Sequence, residues 1–272
     1  MPSKTETRPH ALVTGASSGL GAAFAERLAS DGYDLLIVAR RSERLQAIAD
    51  HLQKQYSARV EPVVADLSQP GGLHSIEKRV AEDESLELLV NNAGFGGYMP
   101  FIQLEPDRAE ELINLQVLAV ARLTRAALPG MISRKKGAIV NVSSRLGFSR
   151  AMGSDRLPKR ATYAGTKAFV IAFSQLLQSE LQGTGVQVQA LCPGVVETEF
   201  HERVGLPQNA YPAAIVMKPE DVVQASLAGL KLSEVICMPA LEDRSLLARL
   251  EDDERQMLEA SRTGNLAKRY TG

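Results

Sequence analysis

The chain has no tryptophan, and aromatic residues make up only 5% of its 272 positions. It has two cysteines, Cys192 and Cys237, with no Cys-x-x-Cys pairing, and four scattered histidines, His10, His51, His74 and His201. These spacings match none of the usual zinc arrangements, so no metal site is expected. A chain of this length buries a sizeable core without covalent staples, so no disulfide is needed and the reducing cytoplasm is the expected compartment. Neither sign of charge dominates: 31 Lys and Arg stand against 32 Asp and Glu, a net charge of −1. That balance supplies no general attraction to nucleic acid or to an anionic membrane, and neither is expected as a partner. Long apolar runs are missing as well. Stretches such as Leu35 to Ala39 and Val117 to Ala121 fall far short of the roughly 20 residues that a membrane span needs. Residues 1–9 are polar, lack a signal-peptide core and read as a disordered tail.

What the chain does have is alternation. Short runs rich in Val, Ile and Leu recur at Ala11–Thr14, Leu35–Ala39, Val60–Ala65, Leu86–Val90, Ala138–Val142, Val186–Leu191 and Val235–Met238. Apolar throughout, they read as strands buried on both faces, hence parallel strands covered by helices. Between them, Phe24 and Leu28, then Leu45, Ile48 and Leu52, then Leu73, Ile76 and Val80 repeat at helical spacing. Gly32 stands where the first helix should stop. With no linker or repeat, residues 10–240 predict one α/β domain of the Rossmann type: a doubly wound parallel sheet of about seven strands with helices on both faces. Ligands of such sheets bind outside the carboxyl ends of the strands, and the polar clusters of this chain all follow strands.

The first cluster is Gly15-Ala-Ser17-Ser18-Gly19-Leu20-Gly21, between a strand and a helix. Glycines there let backbone N–H groups and the helix dipole approach a pyrophosphate, which points to a dinucleotide. The second strand ends in Ala39-Arg40-Arg41, where an NAD site would place an acid. Asp34 lies at the far, starting end of that strand. Two guanidiniums suit a 2′-phosphate, so NADP(H) is the expected cofactor. Asp66-Leu67 and Asn91-Asn92-Ala93-Gly94 follow the third and fourth strands. They read either as nucleotide contacts or as ordinary turn chemistry.

Ser144 follows the fifth strand, and Tyr163-x-x-x-Lys167 puts a phenol and an ammonium on one helix face. A neighbouring ammonium favours the phenolate and brings a tyrosine toward useful acid–base chemistry. Together with Asn114 and Pro193-Gly194-x-Val196-x-Thr198, this set resembles the short-chain dehydrogenase/reductase family, in its compact branch, from about residue 10 to residue 239. The resemblance implies an oxidoreductase that reduces a carbonyl to a secondary alcohol or runs the reverse, on a small-molecule substrate. It implies Tyr163 as general acid, Ser144 holding the carbonyl oxygen, Lys167 on the cofactor ribose and lowering the Tyr163 pKa, and Asn114 in a proton relay. Pro193, Gly194, Val196 and Thr198 would cradle the nicotinamide. The family's oligomers imply a homodimer or homotetramer through helices near 105–131 and 162–183. Taken singly, Ser144 and Thr198 also read as caps, and Asn114 as a buried structural side chain. A redox-dead NADP-binding sensor or scaffold is the alternative.

The chain departs from the pattern after Ser144, where an insertion, residues 145–160, carries Arg145, Arg150, Arg156, Lys159 and Arg160 against Asp155. It reads as a solvated loop or as a clamp for an anionic substrate. Residues 199–217 are expected to be a mobile lid over the site. Residues 241–272 form a charged helical extension whose Leu246, Leu247, Leu250, Met257 and Leu258 make an apolar stripe, expected to pack on the chain's own body or on a second subunit.

Overall fold

The computed structural model describes residues 8–153, 157, 159–200 and 210–271. The chain divides into two compact units, residues 1–239 and 240–272. The larger is built on strands β1 His10–Thr14, β2 Asp34–Ala39, β3 Val60–Val64, β4 Leu86–Asn91, β5 Gly137–Val142, β6 Val186–Leu191 and, after a short pair, β9 Ile236–Cys237. These form one seven-stranded sheet in the order β3-β2-β1-β4-β5-β6-β9, with every pairing parallel. The order reverses between β1 and β4, and a crevice at their carboxyl ends is where such a sheet takes a ligand.

Alternate residues of each strand serve opposite faces, as the two-residue period of a strand requires. On one face Ala11, Val13, Leu35 and Ile37 pack with Phe24, Leu28, Leu45, Leu52, Val222 and Val223, from helices α1 Gly19–Ser30, α2 Ser42–Tyr56 and α7 Pro219–Lys231. On the other, Leu12, Leu36 and Val38 pack with Leu73, Ile76, Val80, Leu123, Met131 and Leu177, from α3 Pro70–Glu82, α5 Ala119–Arg134 and α6 Ala161–Glu180. Each fully buried Leu or Phe contributes about 1.5–3 kcal/mol relative to leaving it exposed. α1 stops as expected: Gly32 takes φ 92° and its N–H donates back to the Ala29 carbonyl at 3.1 Å, a geometry open to glycine. β3 departs from the expected double burial. It is the edge strand, its Val64 is exposed, and Pro62 sits at a place where no outer neighbour needs its missing N–H.

A second departure concerns length. α4 Pro106–Ile113 runs through a π-helical turn, Asn114–Leu118, into α5, so the helix spans 29 residues and is long and apolar enough by composition to cross a membrane. No single apolar run in the sequence showed this. In the fold its apolar face, including Leu112, Leu115, Ala119 and Ala127, is buried in the core.

In the smaller unit, α8 Ser245–Ala260 starts where Asp243 accepts from the Ser245 N–H at 3.0 Å. None of its residues is buried, and Leu246, Met257 and Leu258 are all exposed.

Candidate active site

The glycine loop follows β1 directly. Gly15 has φ 69°, and a Cβ on it would stand 2.9 Å from the Ala93 backbone. Gly21 is tighter still, since a Cβ there would lie 2.3 Å from the Gly15 carbonyl oxygen. Gly21 therefore seats α1 against the loop and does not itself line the cleft. Ser18, at the N-cap of α1, makes no side-chain cap bond, which leaves the first-turn N–H groups facing the cleft as anion donors. Thr14 organises the neighbouring turn: its hydroxyl accepts from Asn92 N and Ala93 N at 2.9 and 3.0 Å, and Asn92 donates to the Thr14 carbonyl at 2.9 Å. The sequence pattern gives Thr14, the last residue of β1, no role beyond its strand. Its use is visible only once β1 and β4 are side by side.

The two guanidiniums after β2 part company. Arg41 folds over the glycine loop, donating to Ser17 Oγ at 3.0 Å and Ser18 Oγ at 2.6 Å, and pairs with Glu199 at 3.0 Å. Arg44 also pairs with Glu199. Arg40 is exposed and pairs with Glu111 at 3.1 Å and Asp66 at 3.5 Å. Ala39, where an NAD site would place an acid, lines the cleft with a methyl group. Asp66 accepts from the Ser68 N–H at 2.9 Å and hydroxyl at 2.6 Å. Burial works to raise its pKa, but those bonds and the Arg40 charge win and hold it below the ordinary carboxylate value. Asp34 is buried at the opposite end of β2, engaged by Arg59 at 2.7 Å.

Ser144, Tyr163 and Lys167 line the same cleft, as do Leu20, Leu67, Gly94, Pro193, Gly194, Val196 and Thr198. Ser144 does cap: its oxygen accepts from the Leu146 N–H at 3.2 Å, which leaves its O–H to donate into the cleft. Thr198 likewise accepts from the Phe200 N–H at 3.3 Å. Lys167 donates to the Val142 carbonyl at 2.8 Å. Burial lowers its pKa from 10.5 to about 8. Tyr163 moves the opposite way: burial raises it from 10.0 to about 12, while interactions with the Tyr98 and Ser144 hydroxyls pull it down. Lys167 Nζ lies over the Tyr163 ring, 5.7 Å from its centre, and the net shift of Tyr163 is upward where the sequence pattern leads one to expect a depressed value. The Lys167 ammonium is spent on a carbonyl and is itself destabilised by burial.

Asn114, expected in a relay through water, does not itself line the cleft. It starts the π turn, where its carbonyl accepts from Ala119 N. Two residues on, Gln116 is buried, donating to the Phe95 carbonyl at 2.6 Å and accepting from the Thr166 hydroxyl at 3.0 Å. It braces the turn that carries Gly94, and only the π register reveals which residue points that way.

The insertion is structured at its start. Arg145–Ala151 is a 3-10 helix, and Arg160 is buried, donating to Ser149 Oγ at 2.9 Å and the Met152 carbonyl at 3.0 Å. Arg160, the residue before α6, ties the loop to that helix. Arg145 lines the cleft, whereas Arg150 does not. Arg156 lies outside the described residues. Of the expected lid, Glu199, Phe200 and Tyr211 line the cleft, and residues 201–209 lie outside the described residues. Its two ends are joined by a parallel pair, β7 Val195–Val196 with β8 Val216–Met217. Among the described residues no three His, Cys, Asp or Glu side chains gather at a metal-sized site.

Comparison with known proteins agrees with this geometry. The sequence profile of the short chain dehydrogenase family matches residues 9–209. A short-chain dehydrogenase from Sphingobium yanoikuyae, solved in complex with NADPH, is 36% identical and superposes with a TM-score of 0.90 over 96% of this chain and 100% of that one. A bulky-bulky ketone specific alcohol dehydrogenase from Comamonas testosteroni is 33% identical, with a TM-score of 0.86 over 97% of this chain and 99% of that one. The inactive hydroxysteroid dehydrogenase-like protein 1 of Homo sapiens is 35% identical over 194 residues, which are 70% of this chain and 56% of that protein. The chain thus spans little more than half the length of that curated relative. With the glycine loop, the Ser144, Tyr163 and Lys167 grouping and the sheet order all in place, the chain belongs to the short-chain dehydrogenase/reductase family of oxidoreductases.

Proposed function

We propose that the chain is an NADP(H)-dependent reductase of ketones, with Tyr163 as the general acid that protonates the carbonyl oxygen. The observation that carries this reading is one continuous cleft with the Arg41-covered glycine loop at one end and Tyr163, Ser144 and Lys167 at the other. The loop fits a dinucleotide by its glycine cradle and uncapped helix start, and Arg41 fits a 2′-phosphate. When bound, the cofactor supplies hydride. Ser144 donates to the carbonyl oxygen and orients it. Tyr163 gives its proton to the same oxygen as negative charge develops there. Lys167 is held by Val142 on the wall of the cleft, as a donor to the ribose. Asn114 has no part in the chemistry as proposed.

The substrate half supports a bulky, apolar ketone. Leu115, Leu146, Leu157, Tyr98, Phe200 and Tyr211 line it, and apolar walls with a few convergent polar groups select by shape. The Comamonas relative, named for bulky-bulky ketones, is in keeping with that choice. An assembly of two or four copies belongs to the same proposal, supported by exposed Phe169 and Leu176 on α6.

A redox-dead, NADP-binding protein is the second reading, favoured by the human relative that is named inactive. The same experiment separates the two. Purified protein is given NADPH and a panel of aryl and alkyl ketones, and loss of reduced-cofactor absorbance is followed for wild type and Tyr163→Phe. Turnover in the wild type, lost in the variant with NADPH affinity kept, is the expected result. Tight NADPH binding with no turnover on any ketone would favour the second reading.

A further inference from the structure

Arg145 is the residue after Ser144 and the first of the 3-10 helix Arg145–Ala151. Its side chain lines the cleft and runs across Gly194, where a Cβ would lie 3.7 Å from Arg145 Nε and 3.9 Å from Cζ. The other cations of the cleft are engaged. Arg40 pairs with Asp66 and Glu111, Arg41 pairs with Glu199, and Lys167 donates to the Val142 carbonyl. Among the described residues no hydrogen bond or ion pair engages the Arg145 guanidinium, and the residue is exposed.

The base of that side chain is fixed. The Arg145 N–H donates to the Pro193 carbonyl at 3.1 Å, and the Ser143 hydroxyl donates to the Lys167 carbonyl at 2.8 Å. Gly147 seats the 3-10 helix on α6, since a Cβ there would stand 3.0 Å from the Lys167 carbonyl oxygen. Arg160 ties down the far end through Ser149 and the Met152 carbonyl. A cation without a partner is thus carried on fixed backbone, next in the chain to the hydroxyl that orients the carbonyl.

We propose that Arg145 is a specificity-determining residue that binds a carboxylate on the ketone substrate, so that the preferred substrate is a bulky keto acid with an apolar body. The inference rests on the reading of the cleft as a ketone reductase site and narrows its substrate class. Leu146, Leu157, Tyr98 and Phe200 line the same cleft, so the rest of the substrate meets apolar surface. A neutral ketone that covers Arg145 takes the guanidinium out of water without a partner, which is unfavourable. A carboxylate accepts two parallel, charge-assisted hydrogen bonds from the planar guanidinium. One side chain therefore attracts the acid and disfavours its neutral analogue. Among the described basic residues of the insertion, Arg145 alone is placed for this. Arg160 is spent within the loop, and neither Arg150 nor Lys159 lines the cleft.

The test uses benzoylpropionate and benzoylbutyrate, each beside its primary amide, which matches the acid in size and carries no charge. With NADPH, kcat/KM is measured for the wild type, Arg145→Gln and Arg145→Lys. In the wild type the better acid is expected to exceed its amide by about tenfold or more, chiefly through KM. The ratio should fall to about one in Arg145→Gln, persist in part in Arg145→Lys, and shrink with added salt. Equal kcat/KM for acid and amide in the wild type, or an undiminished ratio in Arg145→Gln, would overturn the proposal. A rise in NADPH Kd in Arg145→Gln as large as the loss on the acid would also overturn it, by placing the guanidinium on the cofactor. Calorimetry of acid and amide with the NADP+-loaded protein makes the same comparison without turnover. Acid binding that needs Arg145, in a protein that reduces no ketone, would refute the reductase reading and support the site. Turnover of acid and amide without preference would do the reverse.

Discussion

At the glycine-loop end of the cleft, charged side chains stand half exposed and are paired with one another. Arg41 and Arg44 share Glu199, and Arg40 shares Asp66 and Glu111. At the Tyr163 end the groups are buried, and their partners are neutral: a backbone carbonyl for Lys167 and hydroxyls for Tyr163. The first end is organised to exchange one anion for another. Exposed ion pairs are worth about 0–1 kcal/mol, so a phosphate can displace Glu199 from Arg41 at small cost. The second end is organised to hold a proton at a defined place, and there burial sets the pKa values. Under the proposed function, affinity and choice of cofactor belong to the exposed end, and rate belongs to the buried one.

Four variants or conditions sharpen or break that division. The largest effect is expected from Lys167→Ala, which removes a cofactor contact and a buried donor together. Ketone turnover should fall by about 10²–10⁴-fold, the range for lost acid–base machinery, with weaker NADPH binding by fluorescence titration. Normal turnover at saturating NADPH would break the claim that the buried end sets the rate. Arg41→Ala comes next. Loss of a charge-assisted bond of about 1.5–3 kcal/mol should raise the NADPH Kd by about tenfold or more. NADH affinity and kcat should be nearly unchanged, and an equal loss for both cofactors would place Arg41 outside phosphate recognition.

The third concerns pH. Burial lowers the Lys167 pKa from 10.5 to about 8, so the protonated amine is lost as pH rises through about 8. NADPH binding that uses the ammonium should weaken severalfold above that value, and a flat Kd between pH 7 and 9.5 would contradict it. The smallest effect is expected from Glu199→Gln. Releasing Arg41 and Arg44 should tighten NADPH by about two- to fivefold at low salt, and less at high salt. Weaker binding would mean that Glu199 holds the arginines in place and does not compete for them.

Much of this was legible in the chain before any coordinates. The sheet strands follow from apolar runs, because burial on both faces leaves little room for polar alternation. The cleft follows from spaced motifs at strand ends, since Gly15, Ser144, Tyr163 and Lys167 need only the strand order to meet. What was not legible depends on register or on partners. Asn114 and Gln116 differ by two positions on one helix, and a π turn decides which faces Phe95 and Thr166. Arg160 belongs to a basic segment, yet Ser149 and Met152 bury it, which no charge count reveals. The Lys167 pattern implies a depressed tyrosine pKa, but burial of Tyr163 raises it. Tyr98 carries no motif at all. Its edge-on packing against the Tyr163 ring exists only after folding.

The most direct test of the account is the ketone-dependent oxidation of NADPH and of NADH by the wild-type protein, with both cofactors' Kd values measured on the same preparation. The account predicts turnover of a bulky aryl ketone with NADPH, and kcat/KM for NADPH at least about tenfold above that for NADH, as one charge-assisted bond to the 2′-phosphate requires. The difference should lie in binding, with similar kcat for the two cofactors at saturation. Equal kcat/KM for the two cofactors, or a preference carried by kcat alone, would contradict the division of labour between the two ends of the cleft.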